Sequence, residues 1–265
     1  MKKYLVIGNP IEHSLSPNIH NYWFDKNKIN ATYEKKLITN NDLKTIILKL
    51  KSEKINGINV TVPFKQAIIP FIDELSPQAK KTNSVNTVYK KDNKIVGHNT
   101  DIVGFELAIK EKKYHLKDKK IFILGAGGVV SSIIVAMKNL GSSKIILTNR
   151  TKENAEKIKE NFSDIEVVNW GEIPDFDMII NATSVGLKSN EKLDLNLQKF
   201  GPDKFFYDVI YNPKETIFLK EAKEFGNKTE NGMMMFVYQA AAAFKLWHSI
   251  NPEIDNETLN LLKND

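Results

Sequence analysis

The sequence predicts an α/β fold in two domains, on three observations. Strand and helix patterns alternate along most of the 265 residues; a lysine-rich stretch interrupts them; and the series that follows opens on Gly125-Ala126-Gly127-Gly128. Alternating β and α patterns specify a mostly parallel sheet covered by helices. A chain of this length is long for one core and suits two domains sharing a cleft.

In the first series, a strand at 4–7 precedes a helix from Ser16, with Pro17 in its first turn, where a missing N–H is harmless. A strand at 32–37, a helix from about 42 to 53 and a strand at 58–62 follow. Two short strands at 85–89 and 94–97 lead through Asn99-Thr100-Asp101 into a helix near 104–113, and Lys112 to Asp118 has the composition of a hinge. The second series runs strand 121–124, helix 128–140, strand 144–147, helix 152–161, then strands near 166–168, 178–180 and 205–209, a Rossmann-type order. A closing helix at 233–250 is apolar almost all round, with Ala240 to Ala243 at its centre, which predicts burial between elements.

Composition narrows the function. The apolar fraction of 42% is ordinary for a soluble protein, and 38 Lys+Arg against 32 Asp+Glu leaves +6, spread along the chain. Such a charge suits anionic small molecules, and without an Arg-rich run or an aromatic RNA-binding signature no nucleic-acid partner is expected. Zero cysteines exclude disulfides, thiolate chemistry and Cys-based metal sites, and five scattered histidines suggest no metal cluster. Gly8-Asn9-Pro10 breaks the first apolar run too early for a signal sequence. No apolar stretch approaches the roughly 20 residues that cross a bilayer, so a cytoplasmic protein without a membrane partner is expected.

Three motifs carry chemistry. Asn59-Val60-Thr61-Val62-Pro63-Phe64-Lys65 ends a strand and delivers a lysine beyond a proline, at the sheet end where open α/β folds place ligands. A lysine acting as acid or base must be partly desolvated or held near another charge. Asn59, Thr61 and Asn86 carry side chains that donate and accept, as vicinal hydroxyls require, although strand polars satisfied within the fold would look the same. Asp101 is either a cleft carboxylate or the N-cap of the next helix. Ser14 and Ser16 precede Pro17, so Ser16 is either an N-cap or, with Ser14, part of an anion site at a helix start.

The third motif is Gly125-x-Gly127-Gly128 between strand and helix, the context a dinucleotide fingerprint needs. Val129-Val130 depart from its strict form. At the next strand end, Asn149-Arg150-Thr151-Lys152 offers no acid where NAD enzymes hold a ribose hydroxyl. An arginine there suits a 2′-phosphate, so the cofactor read is NADP, the alternative being a solvated helix cap at Thr151. Together these motifs point to a polyhydroxylated substrate beside a hydride carrier.

These residues, with Gly8-Asn9-Pro10, Ser14-Leu15-Ser16-Pro17, Asn86-Thr87, Asn99-Thr100-Asp101, Asn181-Ala182-Thr183-Ser184-x-Gly186, Asp208-x-x-Tyr211-x-Pro213 and Gly232-x-x-Met235-x-x-x-Gln239-Ala240, resemble the shikimate dehydrogenases over nearly the whole chain. The resemblance implies a substrate domain at 1–102 with 236–265, a Rossmann-type NADP domain at 103–235, and an active site in the cleft between them. It implies reversible NADPH-dependent reduction of 3-dehydroshikimate to shikimate, with Lys65 and Asp101 catalytic. The substrate contacts it implies are Ser14, Ser16, Asn59, Thr61, Lys65, Asn86, Asp101, Tyr211 and Gln239, the serines taking the carboxylate. Implied around the cofactor are Gly125, Ala126, Gly127, Gly128, Val129, Asn149, Arg150, Thr151, Lys152, Thr183, Val209, Gly232 and Met235. Asn83-Ser84 replaces the family's usual Gly-Ala. A quinate/shikimate dehydrogenase and a non-catalytic NADP sensor are the rivals, and a monomer or homodimer is expected.

Overall fold

The computed structural model describes residues 1–188, 190–197 and 201–262. The chain divides into two compact units, Met1–Val103 with Val237–Asp265, and Gly104–Phe236. Each is built on its own six-stranded sheet.

In the first unit, β1 (Lys2–Gly8), β2 (Ala31–Leu37), β3 (Gly57–Val60), the two-residue β4 (Glu74–Leu75), β5 (Thr87–Lys91) and β6 (Lys94–His98) line up as β2-β1-β3-β5-β6-β4. The pairs β1–β2, β1–β3 and β4–β6 are parallel, while β5 runs antiparallel to both its neighbours. The helices here are α1 (Ser16–Lys26), α2 (Leu43–Lys51), α3 (Phe64–Ala67), α4 (Pro77–Thr82) and the start of α5 (Asp101–Glu111). In α2, Leu43, Ile46, Ile47 and Leu50 fall on one face and are buried, while Lys44 and Lys51 stay in solvent, the pattern that docks a helix on a sheet. It begins one residue later than predicted because Thr39 and Asp42 close a capping box around the 3-10 turn before it.

Helix α4 and strand β4 are absent from the predicted elements. The start and stop of α4 are nevertheless written locally: Ser76 accepts the Ala79 N–H, Pro77 opens the first turn, and Asn83 adopts a left-handed φ of 47° at the C-cap. Asparagine tolerates that conformation, which suits it to this cap. Strand β3 stops at Val60, short of the predicted Val62, because Pro63 offers no N–H and Phe64 N–H turns back to Thr61 O at 2.9 Å.

The second unit is all parallel: β7 (Lys120–Leu124), β8 (Lys144–Thr148), β9 (Glu166–Val167), β10 (Met178–Asn181), β11 (Phe205–Asp208) and β12 (Lys228–Glu230), ordered β12-β11-β10-β7-β8-β9. Counted from β7, this is the 3-2-1-4-5-6 order of a Rossmann sheet, whose direction of winding switches between β7 and β10. Covered on both faces, its central strands read as unbroken apolar runs, and Ile121 to Leu124 are fully buried. Phe122, Phe176 and Phe206 fill one core with Phe218, Leu219 and Ala222 of α8 (Ile217–Glu224), while α6 (Val130–Asn139) and α7 (Lys152–Asn161) follow β7 and β8. Helix α8 and strand β12 were not among the expected elements.

The chain passes between units inside α5, after Val103, and again inside α9 (Met233–His248), after Phe236; α10 (Asn256–Asn260) follows. Lys112 to Asp118 lies wholly within the second unit. Helix α9 is not buried all round: Lys245 is exposed and Trp247 and His248 are half-buried. Among the described residues no helix is long and apolar enough to cross a membrane.

Candidate active site

Lys65 sits on the single turn of α3, and its carbonyl accepts the Val85 N–H at 2.9 Å, which ties this turn to the approach to β5. Its Nζ lies 2.6 Å from Asp101 Oδ2, with the two side chains only 11% and 7% exposed. A hydrogen-bonded ion pair this sheltered keeps most of its Coulomb attraction and holds an ammonium proton in a set direction. Asp101 is the first residue of α5, but it does not cap that helix. Asn99 does, its Oδ1 accepting the Asp101 and Ile102 N–H groups at 3.0 and 3.4 Å, which leaves the Asp101 carboxylate free for side-chain partners.

The other Asp101 oxygen accepts from Asn86 Nδ2 at 2.8 Å. Asn86 is locked in one orientation, since its Oδ1 accepts the Thr100 N–H at 2.8 Å and the Thr87 hydroxyl at 3.0 Å. Its Nδ2 also reaches Gln239 Oε1 at 3.4 Å. Asn59 is buried and engaged within the fold: Tyr33 donates to its Oδ1 at 2.7 Å, and its Nδ2 donates to Asn86 O and Thr87 Oγ1, both at 3.1 Å. Thr61 is half-buried, packed against Gly8 where an added Cβ would lie 2.5 Å from its methyl group. Thr87, Asn99 and Thr100 of the quoted motifs thus belong to this polar cluster, and so does Tyr33, which no motif singled out.

Ser16 is not the N-cap expected from sequence. Helix α1 begins at Ser16 itself, with Leu15 at the cap position and no side-chain cap bond. The Ser14 hydroxyl lies 3.3 Å from Ser16 Oγ and accepts the Ser16 N–H at 3.4 Å. Two hydroxyls therefore converge at the open start of an 11-residue helix.

In the second unit, the predicted cofactor residues gather at the carboxyl ends of β7, β8, β10 and β11. Gly125 has φ +106°, and a Cβ there would stand 2.8 Å from Ala182 O, so only glycine fits. Gly127 is exposed, and a Cβ there would meet only Ala182 O, at 3.8 Å. Ala126 and Gly128 complete the turn, and α6 starts two residues later than expected, with Val129 at its cap position. Arg150 is exposed at the end of β8. Asn149 donates to Thr151 O at 2.7 Å, and Lys152 Nζ donates to Asn169 Oδ1 at 2.8 Å. Thr151 occupies the cap position of α7 without a side-chain cap bond, so the capping alternative has position but no bond. A glycine turn open to a pyrophosphate, followed by a cation and no acid, fits a phosphorylated dinucleotide.

Thr183 is half-buried and donates to Asn181 Oδ1 at 2.7 Å. Val209 N–H pairs with Asn181 O, while Val209 O faces Gly232, where a Cβ would come within 2.1 Å. Met235 is buried near the start of α9. Tyr211 belongs to this second unit, stacked on Phe236 at 4.6 Å, rather than to the unit that carries the other expected substrate contacts. Sequence reasoning also passed over Asp208 as a functional group. It is fully buried, and burial raises its pKa from 3.8 to about 6 against the donors that surround it. Among the described residues no group of three or more His, Asp or Glu is placed to hold a metal ion.

A Rossmann sheet with an open glycine turn, in one chain with a sheltered lysine–carboxylate pair, defines a two-domain nicotinamide-dependent dehydrogenase. Comparison with known proteins narrows the class. The family described as shikimate dehydrogenase substrate binding domain matches residues 6–88, and the family described as shikimate / quinate 5-dehydrogenase matches residues 106–200. A shikimate dehydrogenase (NADP(+)) of Pelagibacter ubique is 59% identical over 98% of both chains. A crystal structure of a shikimate dehydrogenase in complex with NADP+ superposes with a TM-score of 0.93 at 34% identity, covering 100% of this chain and 95% of that one. The Thermus thermophilus shikimate 5-dehydrogenase in complex with NADP(H) and shikimate gives 0.88 at 30% identity, over 99% and 98%. The chain belongs to the shikimate dehydrogenase family.

Proposed function

We propose that this protein reversibly reduces 3-dehydroshikimate to shikimate with NADPH, on the path to chorismate and the aromatic amino acids. The observation that carries the reading is the Lys65–Asp101 pair, 2.6 Å apart and nearly shielded from water. Bound NADPH supplies the hydride. Lys65 gives its proton to the substrate oxygen as the carbonyl becomes a hydroxyl, and takes it back in the reverse direction. Asp101 holds the Lys65 ammonium aimed between turnovers, and Asn86 holds Asp101 in place. Ser14 and Ser16 take the carboxylate at the start of α1, and Thr61, Asn86 and Gln239 face the ring hydroxyls, with Asn59 behind them and Tyr211 as a further substrate contact. On the cofactor, the glycine turn takes the pyrophosphate and Arg150 the 2′-phosphate, while Thr183, Val209, Gly232 and Met235 surround the nicotinamide end. The enzyme works in the cytoplasm as a monomer or homodimer.

Purified protein given shikimate or quinate, with NADP or NAD, tests this by nicotinamide absorbance. Rapid turnover of shikimate with NADP is expected. Preferential turnover of quinate would make it a quinate/shikimate dehydrogenase, and NADP binding without turnover of either compound would make it a sensor.

A further inference from the structure

Asp208 closes strand β11 as a fully buried carboxylate surrounded by donors. Asn181 Nδ2 donates to both of its oxygens at 3.1 Å, Ile210 N–H to Oδ1 at 3.0 Å and the Thr216 hydroxyl to Oδ2 at 2.6 Å, and no ion pair reaches it among the described residues. A buried charge without a counter-ion is expensive, and its retention calls for a reason. That reason lies one bond further on. With its NH2 group committed to Asp208 and to Val185 O at 3.1 Å, Asn181 must turn its Oδ1 the other way, where it accepts the Thr183 N–H at 3.1 Å and the Thr183 hydroxyl at 2.7 Å. The opposite orientation of the amide would set a carbonyl oxygen against two carboxylate oxygens. Thr183 Oγ1 in turn accepts the Val185 N–H at 3.0 Å. Its proton and one lone pair are thus spent, and one lone pair remains on a half-buried oxygen.

We propose that Asp208 is a positioning residue for the cofactor, which acts through the Asn181 amide to present Thr183 to bound NADPH as a hydrogen-bond acceptor only. The matching groups on the ligand are donors, a ribose hydroxyl or the carboxamide NH2. The proposal rests on the reading of Thr183 as a cofactor contact given above.

A double-mutant cycle on NADPH binding tests it, with KM for shikimate, kcat and melting temperature followed alongside. Asp208→Asn places an NH2 group against that of Asn181 and so frees the amide to turn. Asp208→Asn and Thr183→Val should each raise KM for NADPH roughly ten-fold, about the worth of one hydrogen bond, and leave KM for shikimate unchanged. Combined, they should do no more than either alone, because both remove the same acceptor. Additive effects, or a loss of stability in Asp208→Asn with NADPH binding intact, would overturn the relay. An unchanged NADPH KM in Thr183→Val would instead show that Thr183 does not touch the cofactor, and the relay would fall with it. Should Asp208→Asn not fold, Thr216→Val takes its place: it removes the shortest bond to the carboxylate and should raise NADPH KM by a smaller factor, again without adding to Thr183→Val, whereas wild-type NADPH binding in Thr216→Val would overturn the proposal.

Discussion

Arg150 is the one arginine in a chain that carries 38 lysines and arginines in all. Everywhere else a cation is needed this protein uses lysine, so the guanidinium at the end of β8 answers a requirement that an ammonium does not meet. A planar fork that pairs two N–H groups with two phosphate oxygens is that requirement. Arg150→Lys, which keeps the charge, should therefore weaken NADP by about ten-fold, the value of one hydrogen bond to a charged group at about 1.5 kcal/mol, and Arg150→Asp should weaken it further by repulsion while sparing NAD. Equal NADP affinity across the three proteins, measured by fluorescence titration, would falsify the assignment. Lys65 presents the converse case, one lysine of many, distinguished by shelter and by Asp101 at 2.6 Å. Lys65→Ala should lower kcat by roughly 10² to 10⁴, the usual worth of a positioned acid or base, with a smaller change in substrate KM. A mutant with wild-type kcat would remove Lys65 from the mechanism.

At the scale of elements, periodicity made the long βαβ units readable and left short, locally punctuated pieces unread. Strands β7 and β8 with helices α6 and α7 appear close to where the apolar runs place them, because a fully buried parallel sheet leaves a continuous hydrophobic signal. Helix α4 is six residues long and strand β4 two, too short for any period to show. The polar cluster was legible only in part for a different reason. Tyr33 lies 26 residues from Asn59 on a separate strand, and only the register of β1, β2 and β3 brings the two together. The start of α1 shows what geometry adds to a motif. Sequence left Ser16 between a cap and an anion site, and the absent cap bond changes what mutation should do. A paired Ser14→Ala, Ser16→Ala change should raise KM for shikimate at least ten-fold, since hydrogen bonds to a charged group are worth about 1.5 to 3 kcal/mol each, with little change in melting temperature or in KM for NADP. A lowered melting point beside an unaltered shikimate KM would restore the cap.

Across the whole molecule, two buried groups of opposite sign tie stability to pH. In the first unit His20 is fully buried, stacked on Tyr33 at 4.3 Å and ringed by Trp23, Phe24, Phe244 and Trp247, and neither ring nitrogen has a hydrogen-bond partner among the described residues. Burial, reinforced by His248, lowers its pKa from 6.5 to about 3, so the folded protein keeps it neutral where the unfolded chain would take up a proton. Its contribution to stability is therefore complete above pH 6.5 and is lost progressively as pH falls towards 3. At about 1.4 kcal/mol per pH unit, roughly 2 kcal/mol is gone by about pH 5. Asp208, in the second unit, works the other way: its pKa is raised from 3.8 to about 6, so its penalty is absent below 3.8 and grows as pH rises through 6. Acid should thus weaken the first unit while it relieves the second. His20→Phe keeps an aromatic ring in the stack and removes the titrating nitrogens, so its melting temperature should fall less than that of the wild type between about pH 7 and pH 5, the window that the depressed histidine pKa opens. Calorimetry on both proteins across that window decides the matter: parallel acid limbs would show that the loss of stability comes from groups other than His20.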